Sequence, residues 1–330
     1  MNYLFTCAGR RFELLKLFKR DLKESRLVAT DSRPHAPALQ AADRSYLVPP
    51  VYDPDYISCL LEICKRESID AIFPLIDSEI PLLARQVKLF QDQGVTVFVP
   101  NVDSADRCHD KFAFYQYLTE QGIPTIMTYG TLVEAKAALT RGALTFPLFV
   151  KPRYGSGGIG AWTIHSISEI EVAFADEATL IVQPFIQGED IGVDAFVDAL
   201  SHKLVSAFMK KKLELTIGGA NKTISFWDER LFFLIDKLCQ LFSFVGPIDI
   251  DLFCQDGVYY VTEINPRFGG GYLHADGAGV NFLPLIENNL KGIKNEPYYG
   301  EYADNLVMMM YDAVVFQEQS SLVDVDLTSG

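Results

Sequence analysis

The chain has 330 residues, 49% of them apolar and 22% charged. That balance excludes intrinsic disorder and a collagen-like composition, and at roughly 150 residues per domain it points to about two domains, each with its own core. Lysine and arginine number 29 against 43 aspartates and glutamates, a net charge of −14, which excludes broad binding of nucleic acid or anionic lipid.

Tyr3-Leu4-Phe5-Thr6 reads as a short strand. Gly9 turns it into an amphipathic helix in which Phe12, Leu15 and Phe18 to Leu22 recur near the helical period. Leu27–Asp31 is a second strand ending in an acid, and Tyr56–Arg66 a helix with Ile57, Leu60, Leu61 and Cys64 on one face. Ala71–Leu75 is a third strand, Ile80–Gln91 a helix and Val95–Val99 a fourth strand. Continuous apolar strands separated by helices predict a parallel sheet covered on both faces. Ligands of such sheets sit beyond the carboxyl ends of the strands, where Cys7, Gly9, Arg10, Asp31, Asp77 and Glu79 fall. A dinucleotide fingerprint would need Gly-x-Gly-x-x-Gly after the first strand. Cys7-Ala8-Gly9-Arg10-Arg11-Phe12 has a single glycine, which speaks against an NAD site.

From about residue 101 the texture changes. Ser104–Gln121 predicts one helix, stopped by Gly122 and Pro124. Ala143–Ile164 reads as strand, glycine loop, strand; Thr179–Val197 and Lys203–Phe226 are strand-rich; Glu229–Phe244 is a helix. Ile248–Cys254 and Val258–Asn265 predict a hairpin turned at Gln255-Asp256-Gly257. The last thirty residues carry little pattern.

Cys7, Cys59, Cys64, Cys108, Cys239 and Cys254 form no Cys-x-x-Cys pair, and no histidine sits at zinc-finger spacing, so reduced thiols are expected. Met1 to Thr6 lacks a basic-then-apolar signal pattern. Charges interrupt every apolar run before the ~18 residues a membrane helix requires. A cytoplasmic protein without nucleic-acid or membrane partners is the expectation.

Three segments carry chemistry. In Phe149 to Gly160 a strand ends in Lys151 and runs into Gly155, Gly157, Gly158 and Gly160. Glycines let a backbone fold over an anion, and lysine adds a point charge for phosphate oxygens; a flexible hairpin tip is the alternative. No Gly-Lys-Ser/Thr follows, so this is not a Walker A loop. In the predicted hairpin, Glu263 and Asn265 share a strand face and Asp251 lies on the neighbouring strand. These are all-oxygen donors suited to Mg²⁺, with Arg267 placed to clamp a phosphoryl group; a solvated strand face is the alternative. Leu180 to Asp190 is an apolar strand, a proline-fixed linker at Pro184 and a Gly-acid-acid turn. It suits an adenine edge and ribose hydroxyls, or a plain strand-turn-strand.

In order and spacing these residues resemble the ATP-grasp superfamily, of the carbamoyl phosphate synthase large-chain and biotin carboxylase type, over nearly the whole chain to about residue 290. Its most specific parts are Val150-Lys151-Pro152 with the glycine loop, and Glu263-Ile264-Asn265-Pro266-Arg267. The resemblance implies an α/β fold: an N-terminal parallel-sheet, Rossmann-like pre-ATP-grasp domain (1–100), a linker helix and glycine-loop lid subdomain (101–185), and a C-terminal α+β subdomain with the metal site (186–330). It implies ATP and Mg²⁺, with Mn²⁺ as an alternative ion. Lys111 and Lys151 would touch the phosphates, and Gly155, Ser156, Gly157 and Gly158 would close over them. Gln183 would read the adenine amino group, Pro184, Phe185 and Ile186 would form the hinge, and Asp190, with Glu189 beside it, would hold the ribose. Asp251, Glu263 and Asn265 would bind the metal, and Arg267 the γ-phosphate or acyl phosphate.

The sequence departs from the family at Asp251, where many members carry Glu or Gln, and at Asp190, where the family has Glu. A single half is present, with no glutaminase signature, so full carbamoyl phosphate synthesis is not expected. The implied activity is ATP-dependent carboxylate–amine ligation through an acyl phosphate, on small-molecule carboxylate and amine substrates. A carboxylate or carbamate kinase and a non-catalytic nucleotide-binding regulator are the alternatives. Lys212 is a further candidate for a phosphate or carboxylate contact, whereas Lys210 and Lys211 also read as a solvated basic edge before a Gly218-Gly219 turn. His274 is placed either in the acceptor pocket or in the core. Asp31, Asp77 and Glu79 read as an amine-binding acidic cluster or as sheet-end caps. Oligomeric state stays open, a homodimer being the commonest arrangement of oligomers generally.

Overall fold

A computed structural model describes residues 1–155, 157–176, 179–216 and 219–328. The N-terminal part runs β1 (Asn2–Thr6), α1 (Phe12–Asp21), β2 (Arg26–Asp31), β3 (Arg44–Leu47), α2 (Tyr56–Glu67), β4 (Ala71–Pro74), α3 (Ile80–Gln91) and β5 (Thr96–Val97). Its strands are parallel, as continuous apolar strands between helices predict. The helix at Ile80–Gln91 has the expected bounds, with Pro81 in its first turn where a missing N–H costs nothing. α1 buries Leu14, Leu15, Leu17 and Phe18. β3 was not foreseen: Arg44-Ser45-Tyr46-Leu47 has no apolar run, and the buried pair at its centre is a serine and a tyrosine.

Next come α4 (Val102–His109), α5 (Lys111–Glu120), α6 (Leu132–Thr140), β6 (Leu148–Pro152), β7 (Trp162–Ile164), α7 (Ile167–Asp176) and β8 (Leu180–Pro184). The expected single helix over 104–121 is two. Asp110 breaks it by capping α5, its carboxylate accepting from the N–H groups of Phe112 and Ala113 at 3.0 and 3.1 Å. β7, β6 and β8 form a small antiparallel sheet.

The remainder is β9 (Glu189–Val197), β10 (Leu204–Thr216), β11 (Gly219–Phe226), α8 (Glu229–Leu241), β12 (Gly246–Gln255), β13 (Val258–Asn265), α9 (Tyr272–Gly277), α10 (Leu283–Leu290), β14 (Val307–Met309) and β15 (Val325–Asp326). The larger antiparallel sheet has the order β13-β12-β9-β10-β11-β14. One face is apolar: Ile191, Val193, Ala195, Ile248, Ile250 and Leu252 pack with Leu231, Ile235 and Leu238 of α8 and Phe114 and Leu118 of α5. Strand alternation sends Asp190, Asp194, Lys210, Lys212, Asp249 and Asp251 to the other face.

The two large sheets share one aromatic core. Phe73 stacks on Phe98 at 4.7 Å and meets Phe268 at 5.8 Å, and Phe268 also meets Phe18 at 5.8 Å. The weakly patterned tail also links them. β14 pairs with β11, and β15 then pairs in parallel with β3, giving the first sheet the order β15-β3-β2-β1-β4-β5. The segment 186–330 therefore does not stay on one sheet. No helix among the described residues is long and apolar enough to cross a membrane.

Candidate nucleotide site

A cavity of about 490 Å³ lies between the small sheet and the polar face of the large one. Its lining includes Lys111, Lys151, Gly155, Gly157, Gly158, Gln183, Pro184, Phe185, Ile186, Asp190, Lys212, Asp251 and Glu263. Segments spread over some 150 residues of sequence thus converge on one space.

Gly155, Gly157, Gly158 and Gly160 all have positive φ, between +69° and +110°, a conformation side-chain-bearing residues rarely adopt. Ser156 lies outside the described residues. The stem of this loop is tied to α5: Arg153 donates to both oxygens of Asp110 at 2.6 Å, and the Lys111 N–H donates to the Arg153 carbonyl at 3.1 Å. The Lys111 ammonium reaches the Gly155 carbonyl and lies 3.6 Å from Glu263. Lys151, on β6, has no carboxylate within ion-pair distance among the described residues; its ammonium sits 5.8 Å from the Phe149 ring centre. Burial pulls its pKa below the ordinary lysine value, with Glu263 opposing.

Gln183 is buried at the end of β8, its amide N–H₂ donating to Thr128 Oγ1 at 2.8 Å. Its Oε1 has no partner among the described residues. At the hinge, Pro184 has no N–H, and the Phe185 N–H is taken by the Pro147 carbonyl at 3.3 Å. Among the three hinge residues only the Ile186 N–H has no partner among the described residues.

On the floor, the hairpin register sets Asp251 opposite Glu263 and Asp249 opposite Asn265, so all four share one face. Lys212 reaches across from β10, 2.6 Å from Asp251 and 2.9 Å from Asp190. Burial works against the Lys212 charge, but Asp251 and Asp190 outweigh it and push its pKa up. Burial raises Asp190, with Lys212 opposing. Burial and then Asp251 push Asp249 up to about 7, with Arg267 opposing. The amide nitrogen of Asn265 lies 3.5 Å from Glu263 and 3.4 Å from Asp249. No group of three or more His, Cys, Asp or Glu side chains among the described residues forms a ready-made metal cage. The hard oxygens of Asp251, Glu263 and Asn265 nonetheless fit Mg²⁺ by donor chemistry, provided that a ligand completes the set and Lys212 and Lys111 shift from the carboxylates.

Several expected residues lie elsewhere. Glu189 points to the opposite strand face from Asp190 and pairs with Lys211 at 2.8 Å near solvent, so it does not line the cavity. Arg267 does not line it either. It is buried at the junction of the two large sheets, 2.8 Å from Asp77 and 3.4 Å from Asp249. Burial works against its charge, but Asp77 and Asp249 outweigh it and raise its pKa. Asp77, expected either at a substrate crevice or as a sheet-end cap, is the partner of Arg267. Lys210 is not a solvated edge: it is buried and paired with Asp194. The Gly218 half of the predicted turn lies outside the described residues. His274 is a core histidine. Nε2 donates to the Leu306 carbonyl at 3.0 Å, Nδ1 accepts from Thr223 at 2.7 Å, and burial, then Lys210, pulls its pKa to about 4. The Gly269-Gly270-Gly271 run has a packing reason: a Cβ at Gly269 would stand 2.5 Å from Asp194 and 2.8 Å from Asp249. Thr128 and Asp249 were missed as site residues. Asp249 stood two positions before Asp251 on the same strand face, a signal within reach.

Residues 3–98 match the model of a PylC-like N-terminal domain, and residues 108–271 that of an ATP-grasp domain. The arginine-specific carbamoyl phosphate synthase large chain of Bacillus subtilis is 20% identical over 265 residues, 77% of this chain and 25% of that one. The carbamoyl phosphate synthase large chain of Agathobacter rectalis is 26% identical over 240 residues, 66% of this chain and 22% of that one. The chain thus spans about a quarter of the length of these relatives. Among solved structures, N5-carboxyaminoimidazole synthetase from Staphylococcus aureus complexed with ADP superposes with a TM-score of 0.74 at 16% identity, covering 93% of this chain and 81% of that one. The biotin carboxylase domain of Hydrogenobacter thermophilus 2-oxoglutarate carboxylase, with MgADP and bicarbonate, gives 0.72 at 16% identity, covering 92% and 73%.

Proposed function

Because the chain belongs to the ATP-grasp superfamily, we propose that it is an ATP-dependent carboxylate–amine ligase working through an acyl phosphate. One observation carries this reading: glycine loop, two lysines, hinge and acidic hairpin face line the same cavity. The Gln183 Oε1 and the Ile186 N–H would take the adenine edge, and Asp190 the ribose hydroxyls. Lys151, which has no carboxylate partner among the described residues, and Lys111 would hold phosphate oxygens beneath the Gly155–Gly158 loop. Asp251, Glu263 and Asn265 would hold Mg²⁺, with Mn²⁺ as an alternative, and the ion would neutralise the triphosphate. Lys212 would then pass from Asp251 to a phosphate or substrate oxygen.

The carboxylate oxygen attacks the γ-phosphorus in line, ADP leaves, and an amine displaces phosphate from the acyl phosphate. Positioning and charge neutralisation suffice, so no side chain becomes covalent. The same reading places the protein in the cytoplasm and takes a homodimer as the assembly to measure, since the Hydrogenobacter domain forms a dimer.

The test is ATP-dependent phosphate release across a panel of carboxylates and amines. ADP, phosphate and a new C–N product should appear only with both substrates present. A phosphorylated product that persists with amine present makes the protein a kinase, and ADP binding without turnover on any pair makes it a regulator.

A further inference from the structure

Arg11 follows Gly9-Arg10 at the carboxyl end of β1 and caps the start of α1. Its side chain is partly buried, yet among the described residues its guanidinium makes no hydrogen bond, ion pair or ring contact, leaving five donors unused. α1 is firmly held against the segment after Arg267. Phe18 packs on Phe268 at 5.8 Å, Arg20 pairs with Asp276 at 2.9 Å, and Asn281 donates to Asp21 at 2.7 Å. This brings Arg11 into the field of Arg267, Asp249, Asp77 and Asp194. Those acids already have cations of their own: Asp77 and Asp249 face Arg267, and Asp194 faces Lys210. Burial, and then repulsion from Arg267, pulls Arg11 down to about 10, so it keeps its charge at neutral pH.

The location matters as much as the missing partner. A second cavity, of about 770 Å³, opens at the carboxyl ends of the parallel strands, lined by Gly9, Arg10, Arg33, His35, Ile76 and Ser78 among others. Ile76 and Ser78 flank Asp77, the partner of Arg267. Asp251 and Glu263, which line the nucleotide cavity, stand two positions from Asp249 and Asn265 on the face that Arg267 approaches. Arg11 and Arg267 line neither cavity themselves, but Arg11 follows Gly9 and Arg10 of the strand-end cavity, and Arg267 binds Asp77 and Asp249, whose neighbours line one cavity each. The strand-end cavity's own carboxylate, Asp31, accepts from the N–H groups of Gly9 and Arg33 at 2.8 and 2.9 Å, whereas the side chains of Arg10 and Arg33 in the lining have no ion-pair partner among the described residues.

We propose that Arg11 joins Arg267 to grip the carboxylate of the substrate that is to be phosphorylated, its body in the strand-end cavity and its oxyanion turned toward the nucleotide cavity. This rests on the ligase reading above. Arg11 acts only as a hydrogen-bond donor. The carboxylate lone pair forms the new O–P bond, the bond to the ADP oxygen breaks, and no proton passes through the guanidinium.

The experiment follows thermal unfolding and calorimetric binding of the full chain at matched ionic strength, titrated with acetate or orthophosphate, with and without MgADP. Wild type, Arg11→Gln and Arg11→Lys are compared. Acetate should stabilise the wild type in the presence of MgADP, and its apparent Kd should rise ~10-fold or more in Arg11→Gln and less in Arg11→Lys, the loss expected for a charged hydrogen bond. ADP affinity should stay within about twofold. Without anion, Arg11→Gln should unfold at or above the wild-type temperature, because its removal relieves repulsion from Arg267; a structural arginine would lower it. Equal acetate affinity in wild type and Arg11→Gln, or no acetate response in the wild type, overturns the inference while intact ADP binding keeps the ligase reading. An Arg11-dependent response to orthophosphate alone also overturns it, moving the site to the transferred phosphoryl group. Failure of ADP to bind the wild type overturns both.

Discussion

The two cavities both have acids beside them, at the strand ends of the parallel sheet and on the face of the large antiparallel one, and those acids are held in different ways. At the parallel sheet, Asp31 is fixed by backbone N–H groups, and Glu79 is buried under the hydroxyls of Thr6 and Tyr56 at 2.8 and 2.6 Å. At the large antiparallel sheet, Asp190, Asp251 and Glu263 are held by the ammonium groups of Lys212 and Lys111. An acid satisfied by backbone or by a buried hydroxyl belongs to the fold. An acid satisfied by a lysine on a flexible stem can exchange that partner for a ligand. Residue type alone, Asp or Glu beyond a strand, does not separate the two cases.

That contrast can be broken by mutation. Glu263→Ala or Asp251→Ala should lower ATP turnover by ~10³-fold or more, the loss expected for a phosphate-neutralising group, with little change in thermal unfolding. Unchanged turnover in both would refute the assignment. Asp77→Ala should instead cost stability, about 3–5 kcal/mol in urea unfolding, because it leaves buried Arg267 without its closest carboxylate. A cost below about 1 kcal/mol would show that the pair is exposed in solution.

Glu79 offers a pH test. Burial raises its carboxyl from 4.5 to about 7, while the hydroxyls of Tyr56 and Thr6 oppose. The folded state therefore holds this proton more tightly than the unfolded chain. Its contribution is full below about pH 4.5 and is lost as pH rises through about 7. Unfolding free energy of the wild type should fall, relative to Glu79→Gln, by on the order of 3 kcal/mol between pH 4.5 and 8. Parallel pH profiles would mean that Glu79 is ionised in the fold. The smallest effect is expected at the loop: Gly157→Val, at φ +69°, should raise the ATP KM ~10-fold without altering stability. An unaltered KM would reduce the loop to a bland hairpin tip.

The alternation of strand and helix was legible because it is periodic and local, and so was the glycine loop, whose composition has few uses. The break at Asp110 was not, since no Gly or Pro marks it; an Asp inside an otherwise helical pattern caps α5 and takes Arg153. Nor was the Arg267–Asp77 pair, whose partners lie 190 residues apart and meet only because Phe268 packs into the first sheet's aromatic core. The role of Glu189 was misjudged for a simpler reason: adjacent strand residues face opposite ways, and only Asp190 turns inward.

The pairing of β15 with β3 has a consequence outside catalysis. Val325 and Asp326 occupy the rim of the parallel sheet at Tyr46 and Leu47, more than 270 positions away in sequence. Bare, that rim would present a row of unpaired N–H and C=O groups, the template on which strands of separate molecules add to one another. The tail's closing strand takes up part of that row, at Tyr46 and Leu47. Because its contact closes so long a loop, it carries a loop-closure entropy cost, and cutting the chain within the tail would free this rim without touching either cavity.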